Sequence, residues 1–372
     1  MTDCIVVGGG LIGMLTARFL HDAGVSVTVL ERGEAGREAS WAGGGILSPL
    51  YPWRYPDPVT ALATRTQAEY PTFARILLDE TGVDPEWTLS GMLVLDAAEV
   101  TPALAWAARQ GVAVERIGGA DARACEPALG AEPELGLWMP NIAQVRNPRL
   151  VRSVRESLRT RKIVIREQEP VLSLLCEAGR VRGVRTRSGE LRADRVLIAG
   201  GAWSAGLMPP GGPELPVVPV RGQMILFRGR PGLVQRIVLS GERYLIPRRD
   251  GRILMGSTLE YVGFEKQTTE AARQDLHRTA LALVPALADC PVEHHWAGLR
   301  PGSPTGIPVI TEHPDCEGLF INAGHFRNGV VLSLASCRLA AALMTGAAPA
   351  LDPTPYRLEA AADPALAGAD QV

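Results

Sequence analysis

The sequence predicts an α/β chain of two lobes: a Rossmann-like nucleotide-binding domain, and a second α+β lobe built on a mixed or antiparallel sheet. Three observations predict it. The run Ile5-Val-Val-Gly8-Gly-Gly10-Leu-Ile-Gly13 sets a GxGxxG array between an apolar strand and the mouth of a helix. A second apolar strand, Val25 to Glu31, closes the unit with an acid. Residues 215–260 then change character, breaking into short strands punctuated by glycine and proline.

Each part of the first unit has a physical use. Gly8 permits the tight turn, Gly10 has no side chain to hold a pyrophosphate away from the backbone, and Gly13 lets helix and strand pack closely. The helix opening at Leu11 and Ile12 aims unpaired N–H groups and the positive end of its dipole at phosphate. Glu31 stands about 20 residues downstream, where a ribose-binding acid belongs. Its carboxylate accepts from ribose hydroxyls and repels a 2′-phosphate, which favours an adenine dinucleotide other than NADP.

Bulk properties narrow the class. At 372 residues the chain is longer than the roughly 250–300 residues one core supports. A net charge of −2 gives no general reason to bind nucleic acid or an acidic membrane. Lysine occurs only at Lys162 and Lys266, so the many arginines read as a composition bias and not as a phosphate-binding surface. No stretch reaches the roughly 20 apolar residues that span a bilayer, and the opening residues carry no basic run ahead of the first strand. The six cysteines are scattered, without CxxC or metal-ligand spacing, which suits reduced thiols in a cytosolic protein and predicts no metal site.

Further along, Arg32 to Ile46 is a long loop dense in small residues. Its Gly43-Gly44-Gly45 run lets backbone pass close to a bulky planar or phosphorylated group. Residues 57–81 and 99–110 read as helices with a short strand, 91–95, between them. Residues 147–158 form an amphipathic helix with Pro148 in its first turn. A strand at 163–165 and a hairpin of 170–177 and 180–187 about Gly179 follow. Residues 194–204 give a third buried strand, ending in Gly200-Gly201 and Trp203.

In the second lobe the expected strands are 217–220, 224–227, 234–239, 243–247 and 252–257, then a helix at 268–283 and a strand at 292–300. The turn Gly318–Gly329 leads into a final helix at 330–344, and the last twenty or so residues read as a tail of little catalytic interest. There is no internal repeat.

Six stretches together carry a family resemblance: Gly8–Gly13 with Glu31; Glu38-Ala-Ser40-Trp41-Ala42-Gly43-Gly44-Gly45; Val220-Arg-Gly-Gln223; Tyr244-Leu-Ile-Pro247; Trp296-Ala-Gly-Leu-Arg300-Pro301; and Ala323-Gly-His325-Phe-Arg327-Asn328-Gly329. The chain resembles the D-amino-acid oxidase superfamily of FAD proteins, most closely its glycine oxidase branch of thiamine thiazole synthesis. The last two stretches are the most specific, and the likeness covers nearly the whole chain.

The resemblance implies a glutathione-reductase-like FAD-binding domain made of 1–85, 143–214 and 300–372, and a substrate domain made of 86–142 and 215–299. It implies non-covalent FAD held by Gly8, Gly10, Leu11, Ile12, Gly13, Glu31, Arg32, Ser40, Trp41, Ala42, Gly44, Gly45, Gly200, Gly201, Trp203, His325, Asn328 and Gly329, with Arg300 and Arg327 alongside. Monomeric sarcosine oxidases of this fold attach flavin through a cysteine shortly after the carboxylate-binding arginine. Residues 300–306 here contain none.

The implied chemistry is oxidation of glycine, sarcosine or a small D-amino acid to an imine, with dioxygen as acceptor. Arg300 would clamp the α-carboxylate by two parallel hydrogen bonds, Tyr244 would add its hydroxyl, and Arg327 would lie beside flavin and substrate. His325 is read as a turn histidine, and no side chain is assigned as a certain catalytic acid or base. Ile46 and Leu259 stand where methionine can occur, and Glu242 where histidine can occur, so these three are expected to line or border the substrate pocket and tune its choice. The alternatives left open are a sarcosine or other secondary-amine oxidase and a D-amino-acid dehydrogenase with another acceptor. A cytoplasmic homotetramer free of nucleic acid and membrane is the implied setting.

Overall fold

In the computed structural model, residues 2–131 and 133–361 are described. A six-stranded sheet runs in the order Val309–Glu312, Leu319–Ala323, Arg195–Ile198, Cys4–Val7, Val27–Leu30, Val164–Arg166. All neighbours are parallel except the first pair. The central strand Cys-Ile-Val-Val is buried at every residue, because helices and a small sheet cover both faces; such strands are apolar throughout and do not alternate. The helices Leu11–Asp22 and Ser333–Thr345 pack against each other on one face. The three-stranded sheet Val171–Glu177, Arg180–Thr186, Gly189–Arg192 supplies Val181 and Val184 to the other.

The second sheet has eight strands, ordered Val292–Gly302, Val218–Arg228, Arg252–Gly256, Arg243–Pro247, Ile237–Ser240, Met92–Val94, Leu135–Met139, Glu115–Gly118. It is antiparallel except where Ile237–Ser240 meets Met92–Val94, so it is mixed. One face packs on the helix Glu270–Leu283 through Leu276 and Ala280, and the other faces the first lobe.

Several elements differ from the sequence expectation. The separate strands expected at 217–220 and 224–227 are one strand, Val218–Arg228. Arg221 and Gln223 look like a polar break, yet both are buried and paired, Arg221 with Glu260 at 2.5 Å and Gln223 with Glu260 at 2.8 Å. The strands Glu115–Gly118 and Leu135–Met139 were not legible because each alternates weakly; Leu135–Met139 pairs with Met92–Val94 on one side and carries Glu115–Gly118 as the sheet edge on the other. The expected loop from Arg32 contains a helical turn, Ala39–Ala42. The end of the chain is more than a tail: Tyr356, Leu358 and Ala361 are buried, and the Tyr356 hydroxyl donates to the Pro58 carbonyl at 2.8 Å. The rest of that stretch, 362–372, lies outside the described residues. Among the described residues no helix is long and apolar enough to cross a membrane.

Candidate active site

The carboxyl ends of four parallel strands open into one continuous cleft of about 1960 Å³, including its mouth, that reaches across to the second sheet. Val7-Gly8, Leu30-Glu31, Ala199-Gly200 and Ala323-Gly324 each turn at its wall.

At one end the glycine turn is sterically dictated. Gly8 has φ of 117°, and a Cβ there would stand 2.3 Å from the Ala199 carbonyl oxygen. A Cβ on Gly13 would stand 1.9 Å from the Gly8 carbonyl, so this glycine serves the packing of turn on helix and does not face the cleft. Glu31 is buried and accepts from Gly9 N at 2.7 Å through one oxygen and from Gly33 N at 2.8 Å through the other. Those bonds aim the carboxylate while each oxygen keeps a second lone pair for a ligand hydroxyl.

The loop after Glu31 is stitched to this turn from far along the chain. Ser40 Oγ accepts from Leu11 N at 2.8 Å, capping the first helix, and Asn147 Nδ2 donates to the Ser40 carbonyl at 2.8 Å. Arg248, half-buried, donates to the Gly44 carbonyl at 2.7 Å, to Gln144 Oε1 at 2.7 Å and to Val145 O at 3.0 Å. Burial lowers its pKa to about 10, which still leaves it charged at neutral pH. The glycine run therefore has a fixed course, its carbonyl held by a cation.

The other end of the cleft is lined by Ile46, Ser48, Leu50, Met224, Tyr244, Ser257, Arg300 and Arg327. Arg300 lies on the strand Val292–Gly302 and donates from Nη2 to Ser257 Oγ at 2.6 Å and from Nη1 to the Thr258 carbonyl at 3.1 Å. Burial lowers its pKa, with Tyr244 opposing and Arg327 reinforcing that shift, yet guanidinium stays protonated in proteins. Two cations thus face one pocket. Arg327 is offset by Glu242, which accepts from its Nη1 at 2.6 Å. Burial alone would lower the pKa of Arg327, but Tyr55 and Glu242 outweigh it and hold it raised.

His325 lines the cleft and is buried, bonded through Nε2 to Ser336 Oγ at 2.7 Å, and burial pushes its pKa down to about 3. It is a neutral imidazole at physiological pH. Asn328 also lines the cleft, and its Nδ2 is a buried donor without a protein partner. A buried, unpaired amide facing a cleft marks a place for a ligand acceptor.

The structure gathers at this cleft Gly8, Gly10, Leu11, Ile12, Glu31, Arg32, Ser40, Gly44, Gly45, Gly200, Gly201 and Trp203 at one side, and His325, Asn328, Gly329, Ile46, Tyr244, Arg300 and Arg327 at the other. Four expected residues lie elsewhere. Gly13 faces the turn, as above. Trp41 packs edge-on against Trp296 at 5.7 Å and turns into a separate surface groove beside Arg152 and Arg155, because its helical turn points it away from the cleft. Ala42 is buried against the second sheet, where its carbonyl accepts from Trp296 Nε1 at 3.1 Å. Leu259 is 38 % exposed and outside the cleft, since the backbone beyond Ser257 leads outward. Sequence reasoning missed Arg248, Ser257 and Met224, none of which carries a local signal, and gave no role to Gly222 within the Val220–Gln223 stretch.

Comparison with known proteins follows the same lines. The profile of the DAO family, FAD dependent oxidoreductase, matches residues 3–343. The chain is 53 % identical over 353 residues to glycine oxidase of Pseudomonas aeruginosa, covering 95 % of this chain and 97 % of that one. It is 32 % identical to the bifunctional protein ThiO/ThiG of Synechocystis, covering 89 % of this chain and 50 % of that one. The crystal structure of glycine oxidase from Geobacillus kaustophilus superposes with a TM-score of 0.92 at 28 % identity, covering 96 % of this chain and 98 % of that one.

Proposed function

The chain belongs to the DAO family of FAD-dependent oxidoreductases, and from that premise we propose that it is a glycine oxidase, converting glycine, dioxygen and water to glyoxylate, ammonia and hydrogen peroxide. The residues present fit the cofactor. The glycine turn leaves its backbone open to phosphate, Glu31 offers lone pairs to ribose, and the unpaired Asn328 amide offers a donor to the ring system. Among the described residues no cysteine lines the cleft, which supports non-covalent binding. When bound, FAD supplies the acceptor for a hydride from the substrate α-carbon and returns the electrons to dioxygen.

The chain's own residues then have positional work. The single observation that carries the reading is Arg300, a fork-shaped, half-buried cation that lines the second-lobe end of the cleft and is braced by Ser257 and Thr258. Such a fork holds an α-carboxylate in one plane and so fixes where the adjoining carbon points. The Tyr244 hydroxyl adds a donor for the same carboxylate. Ile46, Leu50 and Met224 exclude water and limit the space for a substrate side chain. Among the described residues that line this end none is a carboxylic acid and His325 is held neutral, so none of these side chains is given the role of a base for the substrate amine.

The wider assignment rests on likeness. Kinship with ThiO/ThiG supports a place in making the thiazole of thiamine. A cytoplasmic homotetramer, and the division into an FAD-binding domain on the six-stranded sheet and a substrate domain on the eight-stranded one, are parts of the same proposal. Anaerobic addition of glycine, sarcosine and each alanine enantiomer, followed by air, tests it. Glycine should bleach the flavin, and air should restore the colour with release of peroxide. Bleaching by sarcosine or D-alanine but not glycine would replace the substrate, and bleaching without recovery in air would replace the acceptor.

A further inference from the structure

Between the strand Arg252–Gly256 and the helix Glu270–Leu283 the second lobe extends an irregular segment, residues 257–269, whose outer part is unusually apolar for its exposure. Tyr261 is 59 % exposed and Phe264 54 %. The segment is rooted at its base, where Glu260 exchanges two backbone bonds with Arg221 at 2.9 and 3.0 Å. Its tip reaches the other lobe. Phe264 stacks on Trp203 with ring centroids 5.6 Å apart and planes 24° from parallel, and the Arg32 guanidinium lies over that same indole at 3.5 Å. Two residues on, Lys266 pairs with Glu38 at 2.6 Å, and Glu38 is paired in turn with Arg32 at 3.3 Å.

Arg32, Glu38 and Trp203 all line the cleft at the end where Gly8 and Glu31 turn, whereas Phe264 and Lys266 do not touch it. On the reading that this cleft holds FAD, we propose that residues 258–268 form a clasp: Phe264 and Lys266 lock Trp203, Arg32 and Glu38 over the adenosine end of the cleft and so set how long the cofactor stays bound.

The physical argument has three steps. Trp203 closes the short turn Gly201–Trp203 after the strand Arg195–Ile198, Arg32 follows the strand Val27–Leu30, and both are tied at the mouth to each other, to Glu38 and to the Phe264 ring, so their position over the cleft depends in part on what caps them. The cap is a stacked ring, which orders a flat side chain at little entropic cost, and an ion pair that neutralises a carboxylate standing beside the expected phosphates. Because the segment is irregular and exposed, it opens at far lower cost than the sheet behind it, giving the cofactor a route in and out that leaves both cores intact. Closure therefore acts on the dissociation rate.

The test uses the yellow holoenzyme, following flavin retained on the protein after dilution. Phe264→Ala should speed FAD loss on the order of tenfold. Lys266→Glu should speed it also, and the double reversal Lys266→Glu with Glu38→Lys should bring it back towards the parent rate. Added salt should hasten loss from the parent and leave the Lys266→Ala variant less affected, because an exposed pair is screened. Tyr261→Ala, on the same segment and without these contacts, is the control and should keep the parent rate. Retention unchanged by Phe264→Ala, or hastened equally by Tyr261→Ala, overturns the clasp while leaving the oxidase reading intact. A parent protein that never takes up FAD overturns both.

Discussion

A Cβ placed on Gly222 would stand 2.2 Å from Nη1 and 2.4 Å from Cζ of Arg300, so the guanidinium lies directly against this glycine's backbone. The two residues sit on adjacent antiparallel strands, with Gly222 opposite Gly298 and Val220 opposite Arg300. The absence of a side chain at 222 is what lets Arg300 fold back over its own sheet to meet Ser257 and Thr258. Gly222→Ala should therefore push the fork out of line without reaching the nucleotide end. The Michaelis constant for glycine is expected to rise on the order of tenfold or more, as for misaligned binding groups, while flavin content stays at the parent level. Steady-state kinetics with flavin quantitation checks both halves.

Replacing Arg300 itself separates charge from shape. Arg300→Lys keeps a cation but loses the planar pair of donors, and Arg300→Ala loses both. Truncating one partner of a buried charge pair costs about 2–5 kcal/mol, so kcat/KM for glycine should fall by at least about thirtyfold in the alanine variant. The lysine variant should fall between it and the parent. FAD binding is expected to survive in both. A colourless Arg300→Ala protein would mean that this arginine serves the cofactor and not the substrate.

What the sequence made legible was what is local. The glycine array, the strand before it and Glu31 lie within one short unit, so their spacing alone implies a turn that the structure then places at the cleft. Arg300 was legible only through family likeness, since nothing distinguishes it locally among so many arginines. Arg248 carried no signal, and Gly222, though inside the Val220–Gln223 stretch, carried no role, because each acts on a partner far away in the chain, across a sheet or across the cleft wall. Leu259 was placed at the pocket through family likeness, but the backbone beyond Ser257 turns outward and leaves its side chain exposed, away from the cleft.

Arg248 offers a third expectation. It is the cation that holds the Gly44 carbonyl, and its loss frees three acceptors, on Gly44 at the cleft wall and on the buried Gln144 and Val145. An unsatisfied buried acceptor costs about 1–3 kcal/mol. Arg248→Met, which keeps the length of the stem, should therefore lower the unfolding free energy by a few kcal/mol and weaken FAD affinity, because the Ser40–Gly45 loop loses its anchor. Denaturant titration and a flavin-binding isotherm read the two effects. Undiminished affinity would show that Ser40 and Asn147 hold the loop unaided.

His325 predicts how the enzyme responds to acid. Its pKa in the folded chain is lowered to about 3 by burial, against an ordinary value of 6.5. Above pH 6.5 folded and unfolded forms are both neutral at this site, and it contributes nothing to the pH dependence of stability. As pH falls below 6.5 the unfolded chain takes up a proton that the folded one refuses, so folding is progressively disfavoured until the pH reaches about 3, where the native imidazole protonates as well. From these two values the loss by pH 5 is about 2 kcal/mol. His325→Asn keeps a polar group near Ser336 but cannot titrate, so its stability should change less between pH 7 and pH 5 than that of the parent. Paired denaturant titrations at the two pH values measure the difference. Equal losses in both proteins would show that the imidazole reaches solvent and protonates in the native state. The same neutrality carries over to catalysis: no limb of the pH profile of kcat/KM between pH 5 and 9 should vanish in His325→Asn, because the imidazole is already neutral throughout that range.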